Sequence, residues 1–212
     1  PILLVSQVLG AIGLWFSTKL GYPGLLNRAM PVSTLILSPL AIGLMIGVLL
    51  IGLNFATPPS FRIPQLRFPE SVIPYTMGGI FEEVLFRLFL LPLVVWGISF
   101  LLPEPAFQNR VFWGVAILLG VVYLVMQLQG AKDIFRITRF SEIPPALWVA
   151  FIFASGLGAV LAAYYFRLGG FVASFSLRVG IYVVWLILWG AYAVPAGLVP
   201  DRKAVERGRQ AG

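Results

Sequence analysis

The chain has 212 residues, of which 59% are hydrophobic and only 11% charged, with a formal net charge of +7. A soluble domain carries about a quarter charged residues, so this chain has too few to coat a water-facing surface. It contains no cysteine and no histidine, which excludes disulfides and thiolate chemistry and removes the commonest metal ligand and the commonest general base.

The apolar residues come in long runs with no alternating or amphipathic pattern. A bilayer-spanning helix needs roughly 20 mostly apolar residues, and about six runs of that kind account for most of the chain. The predicted fold is all-α, a polytopic transmembrane bundle of about six spans. Residues 1–200 form the membrane domain and residues 201–212 a charged cytoplasmic tail. A basic chain suits nucleic acid or anionic lipid. In one this apolar, the charge is assigned to lipid headgroups, with no nucleic-acid partner.

The first run, Ile2 to about Phe16, is short for a span, as expected of a chain truncated at its front. Gly21-Tyr22-Pro23-Gly24 turns the chain. The second run, Ser33 to about Phe55, is closed by Pro58 and Pro59, and a polar connection reaches about Pro74. The third extends from Tyr75 to about Leu102, where Pro103 and Pro105 end it. The fourth covers about Val111 to Gln129 and is expected to stop at Gly130. The fifth spans about Pro145 to Phe166, with a tight turn at Arg167-Leu168-Gly169-Gly170. Ala154, Gly158 and Ala162 in this run are read as ordinary helix packing. The sixth starts at Phe171 and reaches about Leu198, with a break near Pro195, and the tail from Asp201 is expected to fray into solvent.

Six spans put both ends on one side of the bilayer. The connections after spans two and four, with the tail, carry nine Lys and Arg: Arg62, Arg67, Lys132, Arg136, Arg139, Arg202, Lys203, Arg207 and Arg209. The opposite side carries four: Lys19, Arg28, Arg110 and Arg167. The positive-inside rule therefore places the C-terminus in the cytoplasm, with the chain in a prokaryotic-type cytoplasmic membrane.

Two acidic residues, Glu82 and Glu83, lie inside the third run, with Arg87 one turn deeper. They sit roughly 10–12 Å from the start of the run, well inside hydrocarbon. Each charge at mid-membrane costs about 2.5–3.5 kcal/mol on insertion scales, so such residues pair within the bundle or line a wet cavity. Glu83 and Arg87, at i and i+4, share a helix face and can pair directly, either to hold the fold or to serve function. Glu82 is rotated about 100° away and needs another partner. Gly78 and Gly79, about one turn earlier, would let a neighbouring helix or a substrate backbone approach. Arg178, in span six, is the remaining intramembrane charge. Two Glu and two Arg can close on themselves with zero net charge.

Glu-Glu-x-x-x-Arg in a hydrophobic helix resembles the first motif of the CAAX-protease and bacteriocin-processing family of intramembrane proteases. Here the string is Gly78-Gly79-Ile80-Phe81-Glu82-Glu83-Val84-Leu85-Phe86-Arg87. The family's second motif, an aromatic residue followed four positions later by His, falls on Tyr123-Leu124-Val125-Met126-Gln127, with Gln127 at the His position. In its third motif, Arg178 falls at the His position and Tyr182 at that of the following Asn. The resemblance covers about residues 75–185. It implies a catalytic origin for Glu82, Glu83 and Arg87, with Gln127, Arg178 and Tyr182 at degenerate positions.

Both histidine positions have changed. Catalytic zinc takes three ligands from His, carboxylate and Cys, a set the chain cannot supply; no metal and no cofactor are expected. A Glu clamped by Arg is also a poorer general base, though a serviceable structural ion pair. The chain therefore leans away from being an enzyme. The expected function is a protease-like scaffold or accessory subunit, a pseudoenzyme that binds another integral membrane protein or membrane complex. The alternative is an active intramembrane endopeptidase with altered chemistry at Glu82 and Glu83. A transporter using the charged cluster ranks last, since no internal repeat is visible. Gln127 also suits the wet end of span four, and Tyr182 is read first as a packing aromatic.

Overall fold

In hydrocarbon every backbone N–H and C=O must find a partner within its own segment, and the apolar runs of this chain do so as helices. A computed structural model describes residues 2–101 and 105–210. Six helices in it are long and apolar enough to cross a membrane. They are α1 (Ile2–Lys19), α2 (Ser33–Ala56), α3 (Val72–Leu101), α4 (Pro105–Phe135), α5 (Pro145–Gly169) and α6 (Phe171–Ala193). The chain is an integral membrane protein. A short helix, α7 (Arg202–Gln210), follows. Apart from one bridge between Gln65 and Asp201, the described residues form no extended pairing.

The connections show that the spans run up and down. At one end Gly24 O accepts from Phe171 N at 2.7 Å and Leu25 O from Val172 N at 3.0 Å, tying the α1–α2 connection to the α5–α6 turn. That turn is made at Gly170, whose φ of +82° a side chain would resist. At the other end Arg62 Nη1 donates to Leu198 O at 2.8 Å and Gln65 N to Pro200 O at 3.0 Å. The α2–α3 connection and the chain after α6 therefore share one face of the bundle.

Several boundaries differ from the sequence expectation. Gly130 does not stop α4, which continues to Phe135, with Leu128, Ala131 and Phe135 packed against Ile143 and Leu147. Helix α6 ends at Ala193, ahead of the break expected at Pro195. Pro105 opens α4, as a proline can in a first turn, while Leu102 and Pro103 lie outside the described residues. Among the described residues, the stretch after Asp201 is helical to Gln210 and does not fray. Asp201 Oδ1 accepts from Lys203 N at 3.0 Å as a helix cap, and Arg202 pairs with Glu206 one turn on at 2.9 Å. Arg67 to Asp201 at 2.8 Å and Lys203 to Glu70 at 2.7 Å dock α7 against the α2–α3 connection.

Small residues set the tightest helix contact. A Cβ on Gly43 of α2 would lie 2.1 Å from Leu177 O, and one on Gly180 of α6 would lie 2.5 Å from Leu40 O. The backbones of α2 and α6 are in direct contact there. Around Ala162, α5 packs on α6 through Ala173 and Leu177 in an all-apolar contact. The aromatic and aliphatic layer of Leu88, Leu91, Phe112 and Phe166 packs α3, α4 and α5 together.

Candidate functional site

Helices α3, α4 and α6 meet at the two glutamates. Both end the regular part of α3, because a π-helical turn, Val84–Leu90, begins at the next residue. Such turns insert an extra residue and recur at functional positions. A second π-helical turn, Val183–Leu188, begins just after Tyr182, and a third, Ile152–Leu157, contains Ser155.

Glu83 is fully buried. Its Oε1 accepts from Arg178 Nε at 2.9 Å and from Arg178 Nη2 at 2.7 Å. Its Oε2 accepts from the Ser174 hydroxyl. Ser174 and Arg178 are four residues apart and so project from the same face of α6. Glu82 faces another way. Its Oε2 accepts from Tyr123 OH at 2.8 Å and Tyr182 OH at 2.7 Å, and lies 3.3 Å from Arg178 Nη1. The guanidinium of Arg178 thus bridges both carboxylates, and it lies 5.5 Å from the ring centres of both Tyr123 and Tyr182.

Arg87 does not pair with Glu83. It is buried, and its Nε and Nη2 have no hydrogen-bond partner among the described residues. A π-helical turn begins between the two residues, and both oxygens of Glu83 are already taken by Arg178 and Ser174. Gln127 is likewise not at the carboxylates. The residue four positions earlier, Tyr123, reaches Glu82, while Gln127 lines the wall of a cavity nearer the α7 end. Tyr182 both packs and donates: its ring would sit 3.0 Å from a Cβ on Gly79, and its hydroxyl is on Glu82. Gly79 thus serves helix contact, whereas Gly78 faces open space and lines the cavity.

Ser174 and the contact made by Tyr123 went unread in the sequence. Their signal is the four-residue spacing to Arg178 and Gln127, which places each on a face already marked as chemical. Glu82 opens onto a cavity of about 560 Å³ between α3, α4, α6 and α7, whose lining includes Tyr75, Gln127, Leu186, Arg202 and Glu206. An inner chamber of about 100 Å³ adjoins it, lined by Ser155, Arg178, Tyr123 and Trp185 among others. No group of three or more His, Cys, Asp or Glu able to hold a metal occurs among the described residues.

The profile of the type II CAAX prenyl endopeptidase Rce1-like family matches residues 64–184. That stretch holds Glu82, Glu83, Arg87, Tyr123, Ser174, Arg178 and Tyr182, and the chain belongs to this family. No curated protein and no solved structure matches it.

Proposed function

We propose that this member of the type II CAAX prenyl endopeptidase Rce1-like family is non-catalytic and binds another membrane protein, as a scaffold or accessory subunit of a membrane complex. The observation that carries this reading is Arg178, which holds Glu83 at 2.7 Å and Glu82 at 3.3 Å. A water-activating base needs an oxygen free to take a proton and aimed at a water. Three of the four carboxylate oxygens already accept from protein donors: both of Glu83, and Oε2 of Glu82. The chain has no histidine to take the base's place.

The reading extends to topology. The bundle end that carries α7 holds nine of the thirteen Lys and Arg outside the spans' charged cluster, which supports a cytoplasmic C-terminus and contact with anionic headgroups. The membrane would be a prokaryotic-type cytoplasmic membrane.

One observation favours the alternative, an endopeptidase with altered chemistry: Glu82 lines the cavity, and its Oε1 has no protein donor among the described residues. Reconstitution in liposomes with fluorogenic transmembrane peptides separates the two readings. The expected result is no cleavage above empty liposomes, together with a stable partner that copurifies in mild detergent. Cleavage that disappears in Glu82→Ala would establish the alternative.

A further inference from the structure

The cavity that Glu82 lines has one wall built differently from the rest. Helices α3, α4 and α6 give it side chains rooted in the bundle, whereas Arg202, Val205 and Glu206 come from α7. Positions 202, 205 and 206 follow the i, i+3, i+4 spacing of one helix face, and that face is the one α7 presents to the cavity. Lys203 and Arg207, at i and i+4, lie roughly 120° around the helix on a second, basic face.

The two ends of α7 are held differently. Its start is pinned by backbone, since Gln65 N donates to Pro200 O at 3.0 Å and Arg202 N to Gln65 O at 2.9 Å. Arg67 with Asp201 at 2.8 Å, and Arg202 beside Tyr75, hold the same end. Beyond that point the hold is slight. Lys203 pairs with Glu70 at 2.7 Å, with side chains 52% and 50% exposed. From Arg202 to Arg207 no residue is buried, and only Val205 is half-buried. An exposed ion pair shifts an equilibrium by at most about fivefold and is screened by salt. A segment with so few buried contacts opens readily.

Charge says what would draw it away. Arg202 is matched by Glu206 and Lys203 by Glu70, while Arg207 makes no ion pair among the described residues. Helix α7 begins shortly after α6 leaves the membrane, so it stays near the bilayer surface. An anionic leaflet strengthens attachment about fivefold for each Lys or Arg near it. Lys203 and Arg207 on such a surface outweigh the single pair with Glu70.

We propose that α7 is a lid on the Glu82 cavity, hinged at Asp201, and that an anionic lipid surface draws it open through Lys203 and Arg207. The inference rests on that cavity being the working site of the reading above and adds what controls entry to it.

The chain has no cysteine, so one introduced thiol reports alone. The test places full-length Gly78→Cys in nanodiscs of phosphatidylcholine, with or without phosphatidylglycerol. It follows reaction with an uncharged maleimide carrying a branched polyethylene glycol, too bulky for a cavity of about 560 Å³. Gly78 lines the cavity, and a Cβ there meets nothing within 4 Å. Ser141→Cys, exposed on the α4–α5 connection, gives the reference rate in each lipid. Relative to it, Gly78→Cys should react slowly in phosphatidylcholine and roughly five- to thirtyfold faster with phosphatidylglycerol. Arg207→Gln should cut that lipid response about fivefold. In phosphatidylcholine alone, Glu70→Gln should raise the rate by up to about fivefold. Gln127→Cys, on the α4 wall, should repeat the lipid response and serves if Gly78→Cys does not fold. A rate unchanged or lowered by phosphatidylglycerol would overturn the proposal. So would a Gly78→Cys rate equal to that of Ser141→Cys in phosphatidylcholine, since the cavity would then stand open without lipid charge. Neither result touches the partner-binding reading, which copurification judges separately.

Discussion

Glu82 and Glu83 are neighbours in sequence, yet the structure treats them differently. Glu83 turns into the bundle, loses all contact with solvent, and has both oxygens filled by Arg178 and Ser174. Glu82, about 100° around the same helix, has a side chain 29% exposed and opens onto a cavity of about 560 Å³. One arginine serves both. The difference shows how a pair of carboxylates can be split between two duties by helix rotation alone. The sealed one ties α3 to α6, while the open one keeps an oxygen with no protein donor among the described residues.

Three substitutions probe that division. Arg178→Met should have the largest effect, because it strands a buried carboxylate. A loss of about 3–5 kcal/mol is expected in equilibrium unfolding in mixed micelles, and a loss under 1 kcal/mol would mean the sealed half is not held by charge. Ser174→Ala removes one charge-assisted donor from the same carboxylate and should cost about 2 kcal/mol in the same assay. Glu82→Gln should cost at most about 1 kcal/mol, since water from the cavity can replace what Arg178 and the tyrosines gave. If Glu82→Gln proved as damaging as Arg178→Met, the two carboxylates would be equally structural and the comparison would collapse.

Much of the fold could be read from hydropathy, because a membrane leaves so few alternatives. Each of the six long apolar runs became a spanning helix. The misreadings lie where contacts between elements decide the outcome. Helix α4 runs past Gly130 because Leu128, Ala131 and Phe135 find a tertiary surface on Ile143 and Leu147. The tail became α7 because Asp201 caps it and Arg67 and Glu70 dock it. In the site, the first motif marked the right helix and Arg178 as the remaining charge. The partners of Glu83 are Arg178 and Ser174, not Arg87, because spacing along one helix cannot show which side chains of a neighbouring helix reach a carboxylate first. Spacing placed Gln127 at a motif position, but Tyr123, one turn earlier on the same helix, is the residue whose hydroxyl meets Glu82.

The contact between α2 and α6 extends beyond packing. Helix α2 gives no side chain to the carboxylates, yet its backbone at Leu40 and Gly43 touches that of α6 at Gly180 and Leu177, one residue from Arg178. On the opposite flank the Tyr182 ring of α6 rests on Gly79 of α3. The helix that carries the arginine is thus gripped as in a jig, with a clearance smaller than one methyl group on either flank. The position of the bridging guanidinium is inherited from that grip, so the charge balance of the site is set mechanically by glycines that carry no charge.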